Sequence, residues 1–240
     1  MSSTLQLVKA PLLVLAASVI HFATTPPHPP AAPTEQVKSN FLEDFLRVSS
    51  PRGIVHFSLW AGALVEVASI FLMTYPPPPK SLLYPLSQLL RTENPRGIRV
   101  TIPFLLGVFL SCSGAYLRWA CYRALGRFFT FEMSLKKDHR LIKDGPYSFV
   151  RHPGYLAILV TITGGFLTFA SPGSWIWESG FLKTRFGKPL FVVLSMVPLV
   201  ITASLIDRLP REDEVLHNAF GEEWELWAKE VPYKLLPYIW

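Results

Sequence analysis

Two short polar stretches hold most of the side chains in this chain that could do chemistry. One is DGPYSFVRHPGY, residues 144–155, and the other is DRLPREDEVLHNAFGEEWELW, residues 207–227. In the first, Gly145-Pro146 forces a turn, and Tyr147, Arg151, His152 and Tyr155 follow at spacings of four, one and three. One helical turn would gather Tyr147, Arg151 and Tyr155 on one side. Aromatic faces there suit a cation or a flat base, while an imidazole and backbone groups suit its polar ends. Taken singly, each residue has an ordinary role. Arg151, His152 and Arg208 can snorkel at a membrane interface, and Glu212 can be a first-turn acid favoured by the helix dipole, with Pro210 near the first helical position. Pro210 also separates Arg208 from Glu212, so the sequence does not put the two on one continuous helix face. Both stretches abut long apolar runs. Charge packed against membrane-length segments costs free energy unless it is solvated or engaged, so the pair points to a site at a membrane surface.

The elements that must position these residues are apolar helices. Of the 240 residues, 50% are hydrophobic and 17% charged, and the mean hydropathy is +0.31, a membrane composition. Five runs approach the length a span needs: residues 5–24, 53–75, 98–120, 154–170 and 189–206. The first could be a signal-peptide core, but Lys9 lies inside it and no small-residue cleavage site follows, so it is read as an anchor. PPHPP at Pro26 and PPPP at Pro76 must be loops. NFLEDFLRV from Asn40 and SLLYPLSQLL from Ser81 suit short helices lying in the interface or ordinary amphipathic connectors. Five spans put the loop before span four on the same side as the C-terminus, so the two polar stretches meet. That loop carries Arg123, Arg127, Lys136, Lys137, Arg140, Lys143 and Arg151, against Lys183, Arg185 and Lys188 in the loop after span four. The positive-inside rule makes the shared side cytosolic. Trp175 and Trp177 then read as aromatic-belt anchors at the opposite interface.

Several classes are excluded. The net charge of +6 and pI near 9.4 do not indicate nucleic acid, because the basic residues are scattered between apolar runs. No strand leads into a glycine-rich turn, so neither a Rossmann site nor a phosphate loop is present. Cys112 and Cys121, nine residues apart in one helix, face opposite ways and cannot pair. His21, His28, His56, His139, His152 and His217 never fall three or four apart, and no metal is expected. Gly164 and Gly165 read as close helix packing. In the tail, Leu216, Phe220, Trp224 and Trp227 form an apolar stripe with Glu214 and Glu225 roughly opposite. Glu66, inside span two, is a functional suspect or a structural hydrogen-bonding acid. The fold class is all-α: a polytopic integral membrane protein of about five transmembrane helices, with a cytosolic loop and a C-terminal amphipathic helix forming the site. Two regions follow, 1–124 with three spans and proline-rich loops, and 125–240 with the polar stretches.

In order and spacing, GPY-x-x-x-RHP-x-Y followed by R-x-x-x-E and FG-x-E-W resembles the isoprenylcysteine carboxyl methyltransferase family, over roughly residues 125–240. The resemblance makes 125–240 the catalytic region and implies S-adenosylmethionine as cofactor. It places the cofactor contacts on His139, Arg140, Leu141, Ile142, Tyr147, His152, Pro153, Gly154, Tyr155 and Glu212. Glu132 occupies a further contact position, where relatives often carry an amide. Arg208 matches the arginine that meets the substrate carboxylate and is the catalytic candidate. Implied partners are the lipid bilayer and prenylated CaaX-type proteins after proteolysis, and the implied location is the endoplasmic reticulum membrane, with loop and C-terminus cytosolic. The acceptor carboxylate, with a pKa of about 3.5, is ionised at neutral pH, so no general base is needed. Three rival readings are methylation of a phospholipid or other small lipid, an NADPH-dependent sterol reductase-like enzyme, and a silent membrane scaffold.

Overall fold

The computed structural model describes residues 3–37, 44, 51–94 and 97–239. Eight α-helices appear among them: α1 (Ser3–Ala23), α2 (Pro51–Thr74), α3 (Tyr84–Leu89), α4 (Ile102–Leu125), α5 (Pro153–Ala170), α6 (Trp175–Glu178), α7 (Gly187–Phe220) and α8 (Glu222–Glu230). Among the described residues there is no strand, only an isolated antiparallel bridge between Gln36 and Ser134. Five helices, α1, α2, α4, α5 and α7, are long and apolar enough to cross a membrane. The expected all-helical, five-span class therefore holds. Large apolar side chains on these helices stand exposed, among them Phe57, Leu64, Ile102, Phe109, Val193 and Leu199. Lipid accepts such a surface and water does not. The segment 81–90 contains the expected short helix as α3, whereas Asn40–Val48 lies outside the described residues apart from Asp44.

Two differences from the sequence reading concern the last span and the tail. The run 189–206 does not end at the polar boundary: α7 continues through Pro210 to Phe220. A proline inside a helix loses one backbone hydrogen bond and costs about 3 kcal/mol. The continuation buries Leu209 and Asp213 and brings Arg208 Nε within 3.7 Å of Glu212 Oε2, so packing and polar contacts offset that cost. Arg208 and Glu212 thus do share one helix face. The break falls instead at Gly221, whose φ of +54° is the left-handed region that favours glycine, and α8 begins after it. The tail is therefore two helical pieces rather than one amphipathic helix.

The chain forms two compact units, each assembled from separate segments. The first comprises Met1–His21, Arg52–Cys112 and Thr161–Pro198. Its core joins Leu13, Ala16, Ile70, Ile98, Phe104 and Val108. Within it, Gly107 and Gly164 lie where α4 and α5 touch: a Cβ on either would collide with backbone of the other helix, as the close-packing reading of Gly164 requires. Lys9 and Glu66, both fully buried, form an ion pair of 2.5 Å. Lys9 also donates to the Gly173 carbonyl at 2.7 Å, and the Trp175 backbone N–H donates to Glu66 at 3.0 Å. Glu66 is engaged as a structural acid. Trp175 turns its indole N–H inward to the Leu90 carbonyl, while Trp177 is half exposed.

The second unit comprises Phe22–Pro51, Ser113–Val160 and Leu199–Trp240, and holds both polar stretches. Its core joins Cys121, Tyr122, Phe129, Tyr147, Trp227 and Val231. The proline-rich segment after α1 is a loop, and its end braces the 133–135 segment: Val37 N–H donates to the Met133 carbonyl and Leu135 N–H to the Glu35 carbonyl, each at 2.9 Å.

Candidate functional site

The DGPYSFVRHPGY stretch folds as a tight turn leading into a helix. Gly145 takes a φ of +62°, a conformation that L side chains avoid, and Pro146 opens a short 3-10 turn over Gly145–Ser148. The helix α5 starts only at Pro153, where a missing N–H costs nothing. Tyr147, Arg151 and Tyr155 are consequently not gathered by one helical turn. Tyr147 sits in the core, and burial pushes its hydroxyl well above the ordinary tyrosine range. Its backbone carbonyl accepts a hydrogen bond from the Trp227 indole at 3.3 Å.

Eight of the sequence-predicted residues line one cavity in this unit: Glu132, His139, Arg140, Leu141, Ile142, Tyr147, Arg208 and Glu212. Leu216 and Trp227 of the apolar stripe line it too, and Phe220 packs against the His139 ring with centroids 5.9 Å apart. Glu214 and Glu225 are exposed, as the stripe required. His139 is shifted down by burial, and its Nδ1 is buried with no hydrogen-bond partner. Arg208 donates to the Phe131 carbonyl at 2.6 Å, and its guanidinium lies 5.8 Å from the centre of the Tyr155 ring.

The other four predicted residues, His152, Pro153, Gly154 and Tyr155, do not line the cavity, but His152 and Tyr155 meet Glu212, which does. The Tyr155 hydroxyl donates to Glu212 Oε2. The His152 ring stacks on Tyr155 at 5.6 Å with 6° between planes, and its Nδ1 lies 3.7 Å from Glu212 Oε1. Its Nε2 meets Asp213 Oδ1 at 2.9 Å. Burial opposes a charge on His152, but hydrogen bonds to Asp213 and Glu212 outweigh it and hold its pKa above the ordinary histidine value. The ring is therefore held between two acids, both of which favour its protonated form. Pro153 and Gly154 are buried, and the Gly154 carbonyl accepts from Arg118 Nη1 at 2.8 Å.

Sequence reasoning missed Asp213 and Arg118. Asp213, buried, accepts from His152 and Arg151 and faces Lys234 at 3.3 Å. Its adjacency to Glu212 in an acid-rich tail carried no distinguishing signal. Arg118, also buried, sits among Tyr122, Phe129 and Phe131, with ring centroids 4.7 Å away for Phe129 and 4.9 Å for Phe131. An arginine inside an apolar run is conspicuous by the rule that singled out Glu66, and that rule would have found it.

Residues 105–178 match the sequence model of the isoprenylcysteine carboxyl methyltransferase (ICMT) family. The chain is 31% identical over 123 residues to the protein-S-isoprenylcysteine O-methyltransferase of Schizosaccharomyces pombe, covering 50% of this chain and 44% of that one. It is 30% identical over 136 residues to a probable protein-S-isoprenylcysteine O-methyltransferase of Oryza sativa subsp. indica, 56% of this chain and 61% of that one. A Delta(14)-sterol reductase of Mus musculus is 28% identical over 101 residues, 42% of this chain and 20% of that one. The chain thus spans about half the length of these two methyltransferases. Arg208 and Glu212 lie beyond the segment that the family model covers. Residues 105–178, with the RHP turn inside them, carry the sequence pattern of the isoprenylcysteine carboxyl methyltransferase family, and on that segment the chain is similar to it.

Proposed function

We propose that this chain is an integral membrane methyltransferase that moves a methyl group from S-adenosylmethionine to the C-terminal carboxylate of a prenylated cysteine. The observation that carries the reading is the cavity onto which a cation, Arg208, and an acid, Glu212, open together with Tyr147 and the 139–142 segment. The match to the methyltransferase family supports the reaction class, and a methyltransferase requires a methyl donor. The residues present suit S-adenosylmethionine: Glu212 offers a carboxylate to its positive charges, and the buried, unpartnered Nδ1 of His139 offers a polar contact. When bound, that cofactor supplies an electrophilic methyl group on a sulfonium. Glu132, Arg140, Leu141, Ile142 and Tyr147 would complete its wall, with His152, Pro153, Gly154 and Tyr155 holding Glu212 and the start of α5 in place.

Arg208 is assigned to the acceptor carboxylate, which a planar guanidinium can hold by two parallel hydrogen bonds. The acceptor is already ionised at neutral pH, so no side chain here has to remove a proton. The task left to the protein is alignment in a site sheltered from water. A prenyl chain would reach such a site from lipid, and the product loses a charge and holds the bilayer more firmly. In this reading 125–240 is the catalytic region and 1–124 the membrane support. The basic loop before α5 makes the site cytosolic, and the acceptors are CaaX-type proteins after proteolysis in the endoplasmic reticulum membrane.

The test is transfer of labelled methyl from S-adenosylmethionine to farnesylated cysteine by the purified chain, beside a phosphatidylethanolamine control. Transfer to the amine alone would replace this reading with lipid methylation. The likeness to a sterol reductase supplies a second reading. NADPH binding in place of S-adenosylmethionine binding would favour it.

A further inference from the structure

Past the end of α8 the chain runs back along the RHP turn. The Arg151 and His152 backbone N–H groups donate to the Tyr233 and Lys234 carbonyls, each at 2.9 Å, and Arg151 Nη1 donates to the Val231 carbonyl at 3.3 Å. These are the N–H groups just before Pro153, so the strap supplies partners that α5 cannot. Val231 and Leu235 are buried, which fixes the strap at both ends. Lys234 Nζ then reaches Asp213 Oδ2 at 3.3 Å. The same oxygen takes Arg151 Nη2 at 3.2 Å, while Oδ1 takes His152 Nε2 at 2.9 Å. Two cations and the His152 ring converge on one buried carboxylate, from the RHP turn and the strap. On its other side His152 faces Glu212, which Arg208 and Tyr155 also meet.

None of residues 231–235 lines the cavity, nor does Asp213. They reach it through Arg151, which lines the cavity and bonds to both Asp213 and the strap, and through His152, which meets Glu212. We propose that the C-terminal strap 231–235 and Asp213 are positioning elements of the cofactor site: Lys234 and Arg151 fix Asp213, Asp213 fixes the His152 ring, and that ring with Tyr155 sets the carboxylate of Glu212 toward the cavity. This rests on the reading of the cavity as a cofactor site. Removing Asp213 leaves the imidazolium one acid instead of two, so His152 loses its proton at lower pH. Since the ring is held above the ordinary histidine value, the stabilisation it gives Glu212 is complete at low pH and is lost as pH rises through its pKa. Asp213→Asn moves that loss downward by roughly one pH unit, the size of shift one partnered charge commonly makes.

The test uses the full chain in detergent, with two measurements. Titration of His152 by carbon-13 histidine resonances, assigned with His152→Asn, needs no cofactor. Its midpoint is expected to fall by about one unit in Asp213→Asn, less in Lys234→Met, and to return in Lys234→Arg. Equilibrium binding of labelled S-adenosylmethionine is expected to weaken about tenfold in Asp213→Asn at a pH between the variant and wild-type His152 midpoints, but only twofold to threefold at a pH well below both, where the ring is protonated either way. An unmoved His152 midpoint in both Asp213→Asn and Lys234→Met overturns the proposal, as does an affinity loss equal at the two pH values. If Asp213→Asn does not fold, the Lys234 pair decides alone. A wild-type chain that binds no S-adenosylmethionine while the midpoints move as expected overturns the cofactor reading and leaves the strap's hold on His152 standing.

Discussion

Each unit buries an acid against cations, and the two do it differently. In the first, Lys9 and Glu66 meet one to one, and the remaining polar reach of the pair is taken up by the Gly173 carbonyl and the Trp175 N–H. The arrangement is closed. In the second, Asp213 and Glu212 share His152, Arg151, Lys234 and Arg208, and one member, Glu212, keeps 29% of its side chain exposed and lines a cavity. A buried charge marks a place where free energy was spent on desolvation. Only the second network leaves an acid and a cation where a ligand can reach them. Access, more than burial, separates a staple from a site.

The sharpest way to break this contrast is to remove half of each arrangement. Glu66→Leu strands the Lys9 ammonium in an apolar interior and is expected to cost about 3–5 kcal/mol, read as a fall in thermal unfolding temperature in detergent. Lys9→Met with Glu66→Leu is expected to recover most of that, because a closed pair can be replaced by apolar side chains of similar volume. A double variant as unstable as the single one would mean that Glu66 has a further role. Arg208→Lys comes next. It keeps the charge and loses the planar fork, and is expected to lower turnover on prenylcysteine about 30- to 100-fold, roughly the 2–3 kcal/mol of a charged hydrogen-bonded contact, with cofactor affinity changed less than twofold. Normal turnover in that variant would remove Arg208 from the acceptor. The wild-type rate is expected to show no tenfold climb per pH unit near neutrality, since the acceptor carboxylate is ionised throughout.

The same contrast explains what the sequence disclosed. Apolar runs of span length announce themselves, because lipid demands about 20 such residues in a row, and the five-helix class could be read directly. The boundaries of polar helix could not. Pro210 is a local signal to start a helix, and it was overruled by contacts that no short window contains: Leu209 and Asp213 buried and Arg208 set one turn from Glu212. Of the residues that line the cavity, Tyr147, Arg208 and Glu212 lie in the two polar stretches, whereas Glu132 and residues 139–142 came only from the resemblance those stretches carry. Residues that hold those in place, Asp213, Arg118 and Lys234, act across 36 to 62 positions of chain or through a backbone strap, and spacing says nothing of such distances. Arg118 was the exception, since an ionisable group in an apolar run is visible without a partner.

Tyr155→Phe sharpens the account of the second network with a smaller change. It deletes one hydroxyl and leaves the ring that stacks on His152. Glu212 loses a single hydrogen bond to a charged acceptor, worth about 1.5–3 kcal/mol, part of which water entering the cavity recovers. The expected outcome is S-adenosylmethionine affinity weakened roughly fivefold to tenfold in equilibrium binding. Affinity unchanged in both Tyr155→Phe and Glu212→Gln would detach this acid from the cofactor.

The smallest expected effect belongs to Glu225, which separates charge in the network from charge beside it. Glu225 is exposed, and its carboxyl is held below the usual range by its hydrogen bond to His217 at 3.0 Å. An exposed contact of this kind contributes little, and neither partner lines the cavity. Glu225→Ala is therefore expected to bind S-adenosylmethionine within twofold of wild type, and a loss as large as that of Tyr155→Phe would mean that α8 shapes the cavity through its outer face. The same position reports topology. Lys137→Cys and Glu225→Cys, both at exposed positions in one compact unit, are expected to react with an impermeant thiol reagent from the cytosolic side. Labelling from opposite sides would separate the polar loop from the tail and leave no shared site, because no membrane-impermeant ligand could meet both.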